Sequence, residues 1–443
     1  MSHKTRSDQN KAKRRRMAVK LFRSGTPAAE VARQFHRSRS WVYKWVRYRA
    51  LHPWTRFRSA PRASHHHPNR LSAKSERRIV RLRQLLMRHR QPRLRFASVG
   101  ARSIQKEWRR RYREPAPSLS TIQRILKRYQ LTMHRPRQRH HAYRPHPAAT
   151  YPNAVQATDI ITRWMTGGER VQTFNTVDVY SNDVYSSSYA TKTAACACEH
   201  LLQTWQRLGL PDVAQFDNES AFSGGNHPWV LGKVVRLCLY MGIEVLFIPL
   251  GEADYNSPVE TFNHLWAQRF WGRHHFTRRR DVSRVQRTFL TWYRTEYIAP
   301  RQPDTPERMR LGTQVYTLAA REAASLPSRL PIRAGRVHAV RRVSPEGQVR
   351  FLNQTFHVGK RYRERYVWLT LETADQRLSI WRQGHAGAPW KRLKTVEAQL
   401  NEPVMAAPKR FARLHAARQR STQDQRVIDN LSKSAQTAAQ RGS

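Results

Sequence analysis

Val155-Gln156-Ala157-Thr158-Asp159-Ile160-Ile161 reads as a buried strand that carries one carboxylate. An aspartate inside an apolar run costs free energy unless it is paired or bound to a metal, so Asp159 is a candidate ligand. Further strands are expected at Val171–Val179 and Val184–Tyr189, with Gly167-Gly168 turning between the first two. A helix from about Thr193 to Leu208 follows, then a buried strand at Val213–Phe216 and a helix from about Pro228 to Met241. A strand at Glu244–Ile248 and a helix from Ser257-Pro258 through Phe270 complete the series. Three strands followed by alternating helices and strands is the layer order of an α/β core.

Two more carboxylates stand at the ends of these elements. Asp217 closes Val213-Ala214-Gln215-Phe216-Asp217-Asn218-Glu219-Ser220, and Glu260 lies in the helix opening at Asn256-Ser257-Pro258-Val259-Glu260-Thr261-Phe262-Asn263. Each has a local reading as well. Asp-Asn favours a turn, and Ser257-Pro258-Val259-Glu260 has the capping-box spacing that would fold the glutamate back on its own helix. Taken together, Asp159, Asp217 and Glu260 offer an all-oxygen donor set for two Mg²⁺ ions, with Mn²⁺ as a substitute, suited to in-line displacement at phosphate. Asp178, Asp183, Glu219 and Glu252 are read as neighbours outside that set. Cys196-Ala197-Cys198 has too few intervening residues for a zinc knuckle and is read as core. Arg269, Arg273 and Arg278–Arg280 are either a route for phosphate or a solvated basic face.

The charge is unevenly placed. The 443 residues carry a formal net charge of +52, divided as +36 in residues 1–150, −5 in 151–270 and +21 in 271–443. An acidic block between basic arms suits a metal-binding core flanked by parts that hold a polyanion, here double-stranded DNA. No window approaches 18 uninterrupted apolar residues, and the N-terminus lacks the apolar stretch of a signal peptide, so no membrane partner is expected. Three cysteines give no disulfide framework, which favours a reducing, cytoplasmic and nucleoid-associated location.

The basic arms read as separate modules. Residues 1–50 contain a helix-turn-helix in which Ala18, Leu21, Phe22, Val31, Phe35, Val42, Trp45 and Val46 pack inward. Thr26 is expected to cap its second helix with Pro27 at the first position, and Ser38 to cap its third. That leaves Arg39, Ser40, Tyr43, Lys44 and Arg47 to meet a DNA groove. Residues 51–71 form a basic linker containing His65, His66 and His67. Residues 72–132 read either as a second helical DNA-binding domain or as a basic helical bundle with no sequence preference. There Ser120 caps a helix that turns Ile122, Ile125 and Leu126 inward and Gln123, Arg124, Lys127 and Arg128 outward. Residues 133–150, with Arg135, Arg137, Arg139 and Arg144, are a second basic linker of the kind that grips phosphate without reading bases. The core is expected over 151–315. Short β-like runs at Val349–Phe356, Tyr366–Leu371 and Leu378–Trp381 suggest a small β-barrel over 330–396, and 397–443 read as a basic, disordered tail.

In order, Gln156-Ala157-Thr158-Asp159, Phe216-Asp217-Asn218-Glu219-Ser220-Ala221-Phe222 and Asn256-Ser257-Pro258-Val259-Glu260-Thr261-Phe262-Asn263 resemble the motifs of the Asp-Asp-Glu transposases of bacterial insertion sequences. That family has a retroviral-integrase-type catalytic domain with an RNase H-like fold. The resemblance covers about 150–315 and, more loosely, most of the chain. It implies a multidomain protein whose all-α N-terminal units precede an RNase H-like core and a small β-barrel, with Asp159, Asp217 and Glu260 as the catalytic, metal-binding triad. It also implies binding to the terminal inverted repeats of an element, nicking of 3′ ends and strand transfer into target DNA by an assembly of at least two copies. The alternatives are a catalytically silent DNA-binding regulator of the same architecture and a structure-selective nuclease on the same fold.

Overall fold

The computed structural model describes residues 3–57, 71–132, 143–225, 227–300 and 316–406. The histidine run 65–67, Arg135, Arg137 and Arg139 of the second linker, the end of the expected core from 301 to 315, and the tail from 407 onward lie outside the described residues. The chain divides into two compact units, Met1–Arg78 and Ile79–Ser443.

The first unit is helical, with α1 (His3–Arg23), α2 (Ala28–Gln34) and α3 (Arg39–Leu51). Ala18, Val31, Ala32 and Val42 form its centre, with Leu21, Phe22, Phe35, Trp41 and Val46 packed around them. The Ser38 hydroxyl accepts a hydrogen bond from Trp41 N at 3.2 Å and so starts α3 as its sequence implies. Two local expectations shift. Pro27, expected inside α2, is its N-cap, and Thr26 does not cap the helix. Trp45 turns away from the centre to a second cluster with Ala12, Val19 and Phe57, where the Arg15 guanidinium lies 4.2 Å from its ring centroid.

The boundary at Arg78 falls within α4 (Ala73–Arg88), which is followed by α5 (Ala101–Arg111) and α6 (Leu119–Arg128). Ser118, two residues before the expected Ser120, caps α6 by accepting from Thr121 N. Ile122, Ile125 and Leu126 are buried as their spacing requires. Phe96, between α4 and α5, packs edge-on against Phe289 in the same cluster as the large apolar side chains of the following α/β core. Through Phe96 this helical region shares apolar packing with the α/β core.

The core sheet begins with β1 (Val155–Trp164), β2 (Arg170–Asp178) and β3 (Val184–Tyr189), an antiparallel meander. Helix α7 (Ala194–Arg207), capped by Thr193, leads to β4 (Val213–Phe216), which pairs with β1 in parallel. After α8 (Ser220–Ser223) and α9 (Lys233–Tyr240) comes β5 (Glu244–Phe247), parallel to β4. Helix α9 starts five residues later than expected because residues before it make a tight crossing. Gly224, at φ +91°, backs onto Gly232 so closely that a Cβ there would lie 2.5 Å from the Gly232 Cα. Trp229, at φ +59°, folds in against Phe356. Helix α10 (Ser257–Arg269) packs on β1 and β2, and α11 (Arg279–Trp292) packs on β3.

The C-terminal strands depart from the expected independent barrel. After α12 (Ala320–Ala324) they are β6 (Ile332–Arg333), β7 (Arg336–Arg342), β8 (Gln348–Phe351), β9 (Gln354–His357), β10 (Tyr366–Glu372), β11 (Arg377–Arg382), β12 (Lys391–Glu397) and β13 (Val404–Met405). Strand β7 pairs in parallel with β5, from Val245–Val337 to Phe247–Ala339, so the core sheet continues into them. The resulting nine-stranded mixed sheet runs β12-β11-β10-β7-β5-β4-β1-β2-β3. Val337 to Arg341 are buried on both faces of β7, the signature of an interior strand and not of a separate barrel wall. The run Val349–Phe356 is a hairpin, β8 and β9, because Leu352 and Asn353 both adopt positive φ and turn the chain in two residues. Beyond 397 the chain remains in the fold as far as β13, which pairs with β6, and Glu402 makes a two-pronged ion pair with Arg236 at 2.8 Å.

A polar cluster is sealed between the meander and α7. His200 is fully buried, its Nε2 2.8 Å from Thr176 Oγ1 and its Nδ1 2.6 Å from Ser187 Oγ. Burial lowers its pKa to about 3, so it stays neutral in the fold. An unfolded histidine takes up a proton below about 6.5, whereas folded His200 does not until about pH 3. Stability is therefore lost as pH falls through that window, at about 1.4 kcal/mol per unit. Urea unfolding at pH 6.5 and pH 5 should show this acid loss reduced by about 2 kcal/mol in His200→Gln. An equal loss in both proteins would mean that His200 is not held neutral.

Candidate active site

Strand pairing alone brings two of the three carboxylates together. Parallel β1 and β4 share a register that ends at Thr158–Phe216. Asp159 and Asp217 are each the next residue, so they stand on adjacent strands, at the same level and on the same face. β1 is also the strand where the antiparallel and parallel halves of the core meet, the place where an open α/β sheet leaves a crevice beyond its carboxyl ends.

Helix α10 supplies the third. Its N-cap is Asn256, whose side chain makes no cap and instead accepts from Gln215 Nε2 at 2.9 Å. The capping box that Ser257 to Glu260 allowed is thus not formed, and Glu260 is left for other partners. One turn on, Asn263 Nδ2 donates to Asp159 Oδ2 at 2.5 Å. Residues three apart share a helix face, so the contact that fixes Asn263 also turns Glu260 toward the aspartates.

The three acids sense one another. Asp159 is raised to about 6 by burial first and by the charge of Glu260 next, against the lowering effect of hydrogen bonds from Ile160 N–H and Asn263. Asp217 is raised to about 6 by burial, with Asp159 and Glu219 adding to it while the Glu219 N–H and the Lys192 charge oppose it. Glu260 is raised by burial and by Asp217. Among the described residues none of the three forms an ion pair. Such a group is short of positive charge, and its hard oxygens suit a divalent cation such as Mg²⁺. Among the described residues, no three His, Cys, Asp or Glu groups already stand close enough together to hold a metal ion. The donors fit in kind and charge, and they are not gathered to coordination distance.

The neighbouring acids have other work. Glu219 pairs with Lys192 at 2.9 Å, Glu252 pairs with Arg144 and accepts from Tyr366, and Asp183 pairs with Arg294. Asp178 is buried and ties the turn after β2 by accepting from Ser181 and from Asn153 N. Asp217 also makes its expected turn, accepting from Glu219 N at 3.1 Å. Cys198 and Cys238 are buried in the core and Cys196 is partly exposed, all as free thiols. Arg269 and Arg273 are engaged within the chain, and Arg278, Arg279 and Arg280 are exposed. Arg269 donates to Ser98 and lies over Trp292 and Tyr297, and Arg273 donates to the Arg95 and Ala97 carbonyls.

Arg341 is the residue that motif reading missed. It is 7% exposed on β7. Its guanidinium donates to Arg350 O, Ile248 O and Val340 O, and through Nη2 to Asn218 Oδ1 at 2.7 Å. Asn218 Nδ2 in turn donates to Ile248 O. Burial lowers Arg341 to about 10, so it is still charged at neutral pH. It ties the loop that carries Asp217 to the end of β5 and to the C-terminal strands.

Of the candidate DNA-contact residues, Arg39, Ser40, Tyr43, Lys44 and Arg47 are exposed on α3 of the first unit, and Gln123, Arg124, Lys127 and Arg128 are exposed on α6 of the second. Residues 9–49 match the homeodomain-like domain family. No curated protein matches the chain. Among solved structures, the HTLV-2 integrase catalytic core domain in complex with magnesium aligns at 16% identity and a TM-score of 0.27, over 34% of this chain and 91% of that one. The catalytic core domain of BIV integrase aligns at 17% identity and 0.26, over 32% and 85%. A chain of the simian T-cell lymphotropic virus intasome in complex with PP2A regulatory subunit B56 gamma aligns at 14% identity and 0.30, over 72% and 100%. Likeness this distant carries no argument, and the α/β core rests on the strand order given above.

Loss of the Arg341 guanidinium would leave the Asn218 amide oxygen and the Arg350 carbonyl without a donor, each at about 1–3 kcal/mol when buried. Arg341→Met should therefore lose about 3 kcal/mol of stability in urea unfolding, and Arg341→Lys should recover only part of it. A loss under about 1 kcal/mol in Arg341→Met would show that the guanidinium does not hold these strand ends.

Proposed function

We propose that the chain is a DNA transposase of the Asp-Asp-Glu, integrase-like kind. It binds the terminal inverted repeats of an insertion sequence, cleaves 3′ ends and transfers them to target DNA. The observation that supports this reading is the register that sets Asp159 and Asp217 at neighbouring positions of β1 and β4, with Glu260 three residues before the Asn263 that bonds Asp159. Asp159, Asp217 and Glu260 would hold two Mg²⁺ ions, or Mn²⁺ in their place. When bound, such ions activate a water or a DNA 3′-hydroxyl as nucleophile and neutralise charge on the departing oxygen. The chain's own residues position and select. The strand register sets the two aspartates side by side, and Asn263 donates to one oxygen of Asp159.

The homeodomain-like match over 9–49 and the exposed basic face of α3 support end recognition by the first unit. The exposed Gln123, Arg124, Lys127 and Arg128 on α6 make a second DNA contact. No helix among the described residues is long and apolar enough to cross a membrane, and a cytoplasmic, nucleoid-associated place in a bacterial cell follows from the DNA reading. Two ends must be held at once, so the working assembly has at least two copies. A silent DNA-binding regulator is the second reading, favoured by carboxylates that are not yet at coordination distance.

A strand-transfer assay separates the readings. Purified protein is mixed with a labelled duplex carrying the element's terminal repeat, a plasmid target, and Mg²⁺ or EDTA. Metal-dependent joined product is expected. Cleavage without joining would mean a nuclease, and binding with neither would mean the regulator. Asp159→Asn should abolish joining and leave duplex affinity intact, and retained joining would remove Asp159 from the site. Lys44→Ala and Arg47→Ala should weaken end binding, with the slope of log affinity on log salt falling by about 1 for each phosphate no longer neutralised.

A further inference from the structure

The sheet register sets a row of polar side chains behind Asp159. Asn175 on β2 is the cross-strand partner of Asp159, and Ser186 on β3 is the cross-strand partner of Asn175. The row is covered by α10 and α11, which insert Asn263 and Gln286 into it. Asn175, Ser186, Asn263 and Gln286 are all buried, Asn175 completely.

Their hydrogen bonds form one continuous chain. Gln286 Nε2 donates to Ser186 Oγ. Ser186 Oγ donates to Asn175 Oδ1, Asn175 Nδ2 to Asn263 Oδ1 at 2.9 Å, and Asn263 Nδ2 to Asp159 Oδ2. At the far end Ser188 Oγ donates to Gln286 Oε1 at 3.0 Å and is itself 3.0 Å from Thr173 Oγ1. The sense of every bond follows from the last one. An ionised carboxylate only accepts, so Asn263 must offer its amide nitrogen. Its oxygen is then left for Asn175, and the same choice passes back to Gln286.

A buried polar row needs partners whatever its purpose. This one has two properties that packing alone does not require. It ends on a carboxylate of the candidate site, and all of its dipoles point that way, so each bond polarises the next. We propose that Asn263, Asn175, Ser186 and Gln286 form a positioning relay that fixes the Asp159 carboxylate for a divalent cation. The relay rests on the proposed metal-dependent function. Asn263 touches the carboxylate, and the other three act through it. Partners behind metal ligands typically govern metal affinity about 10- to 100-fold, and the effect here should fade with each link from Asp159.

The test is Mn²⁺ binding to the full chain, followed by electron paramagnetic resonance of the free ion, beside duplex binding and joining kinetics. Ser186→Ala deletes one hydroxyl two links behind the Asn263 contact. It should weaken Mn²⁺ about tenfold and lower kcat for joining with the KM for duplex unchanged, and Ser186→Thr should restore both. Ser188→Ala, beyond Gln286 and partly exposed, should weaken Mn²⁺ less than threefold. Should Ser186→Ala fail to fold, Gln286→Leu gives the same reading from the helix side. Parental Mn²⁺ affinity in folded Ser186→Ala or Gln286→Leu overturns the relay. So does an effect that follows thermal stability across the variants instead of distance from Asp159. Asp159→Asn is the separating control. If it abolishes Mn²⁺ binding while the relay variants leave it unchanged, the relay alone fails. If it too leaves Mn²⁺ binding unchanged, the metal site fails and the relay with it.

Discussion

Two negative charges are placed side by side by backbone hydrogen bonds that have no knowledge of them. The parallel ladder between β1 and β4 ends at Thr158–Phe216, and the next residue on each strand is an aspartate. Half-buried like charges at neighbouring positions repel, and burial weakens the solvation that would offset it. The rest of the core manages that cost. Asn263 and the Glu219 N–H each donate to one aspartate, and Lys192 draws Glu219 into an ion pair beside them. What remains uncompensated is what a cation would supply.

The second constraint comes from the far side of the sheet. Here the ends of β4 and β5 are fastened to β7 by one buried guanidinium whose partners are carbonyls and an amide. A buried cation without a carboxylate partner is costly, and it is tolerated because its donors find carbonyl dipoles at several strand ends. The C-terminal strands therefore bear on the geometry around Asp217 through Asn218, though they contribute no carboxylate to it.

Much of the core was legible in the sequence because its signals are local. Apolar runs marked β1 to β5, with β1 running three residues past its expected end. Thr193 and Ser38 announced their helices. Asp159 stood out as a charge in an apolar run, whereas Asp217 and Glu260 each had a local reading and stood out only as part of the trio. What was not legible depends on partners distant in sequence. Whether β7 to β12 close on themselves or join the core turns on one pairing, between Val245 to Phe247 and Val337 to Ala339, and no spacing reveals it. Arg341 looked like any other arginine in a chain rich in them. Asn175 and Gln286 are ordinary polar residues until the register of three strands and the fall of two helices bring them into line. Glu260 shows the reverse case, where a local pattern pointed to a cap that the preceding Asn256, held by Gln215, does not permit.

Joining the C-terminal strands to the core leaves β12 as a border strand of the nine-stranded sheet among the described residues. That strand reads Lys391-Arg392-Leu393-Lys394-Thr395-Val396-Glu397, and most of it is exposed. An open strand offers a row of unpaired N–H and C=O groups on which another copy's strand can grow. Three cations within its first four residues make parallel, in-register addition of the same strand unfavourable, since it would set like charges side by side. Growth of the sheet at β12 by that route is thereby disfavoured.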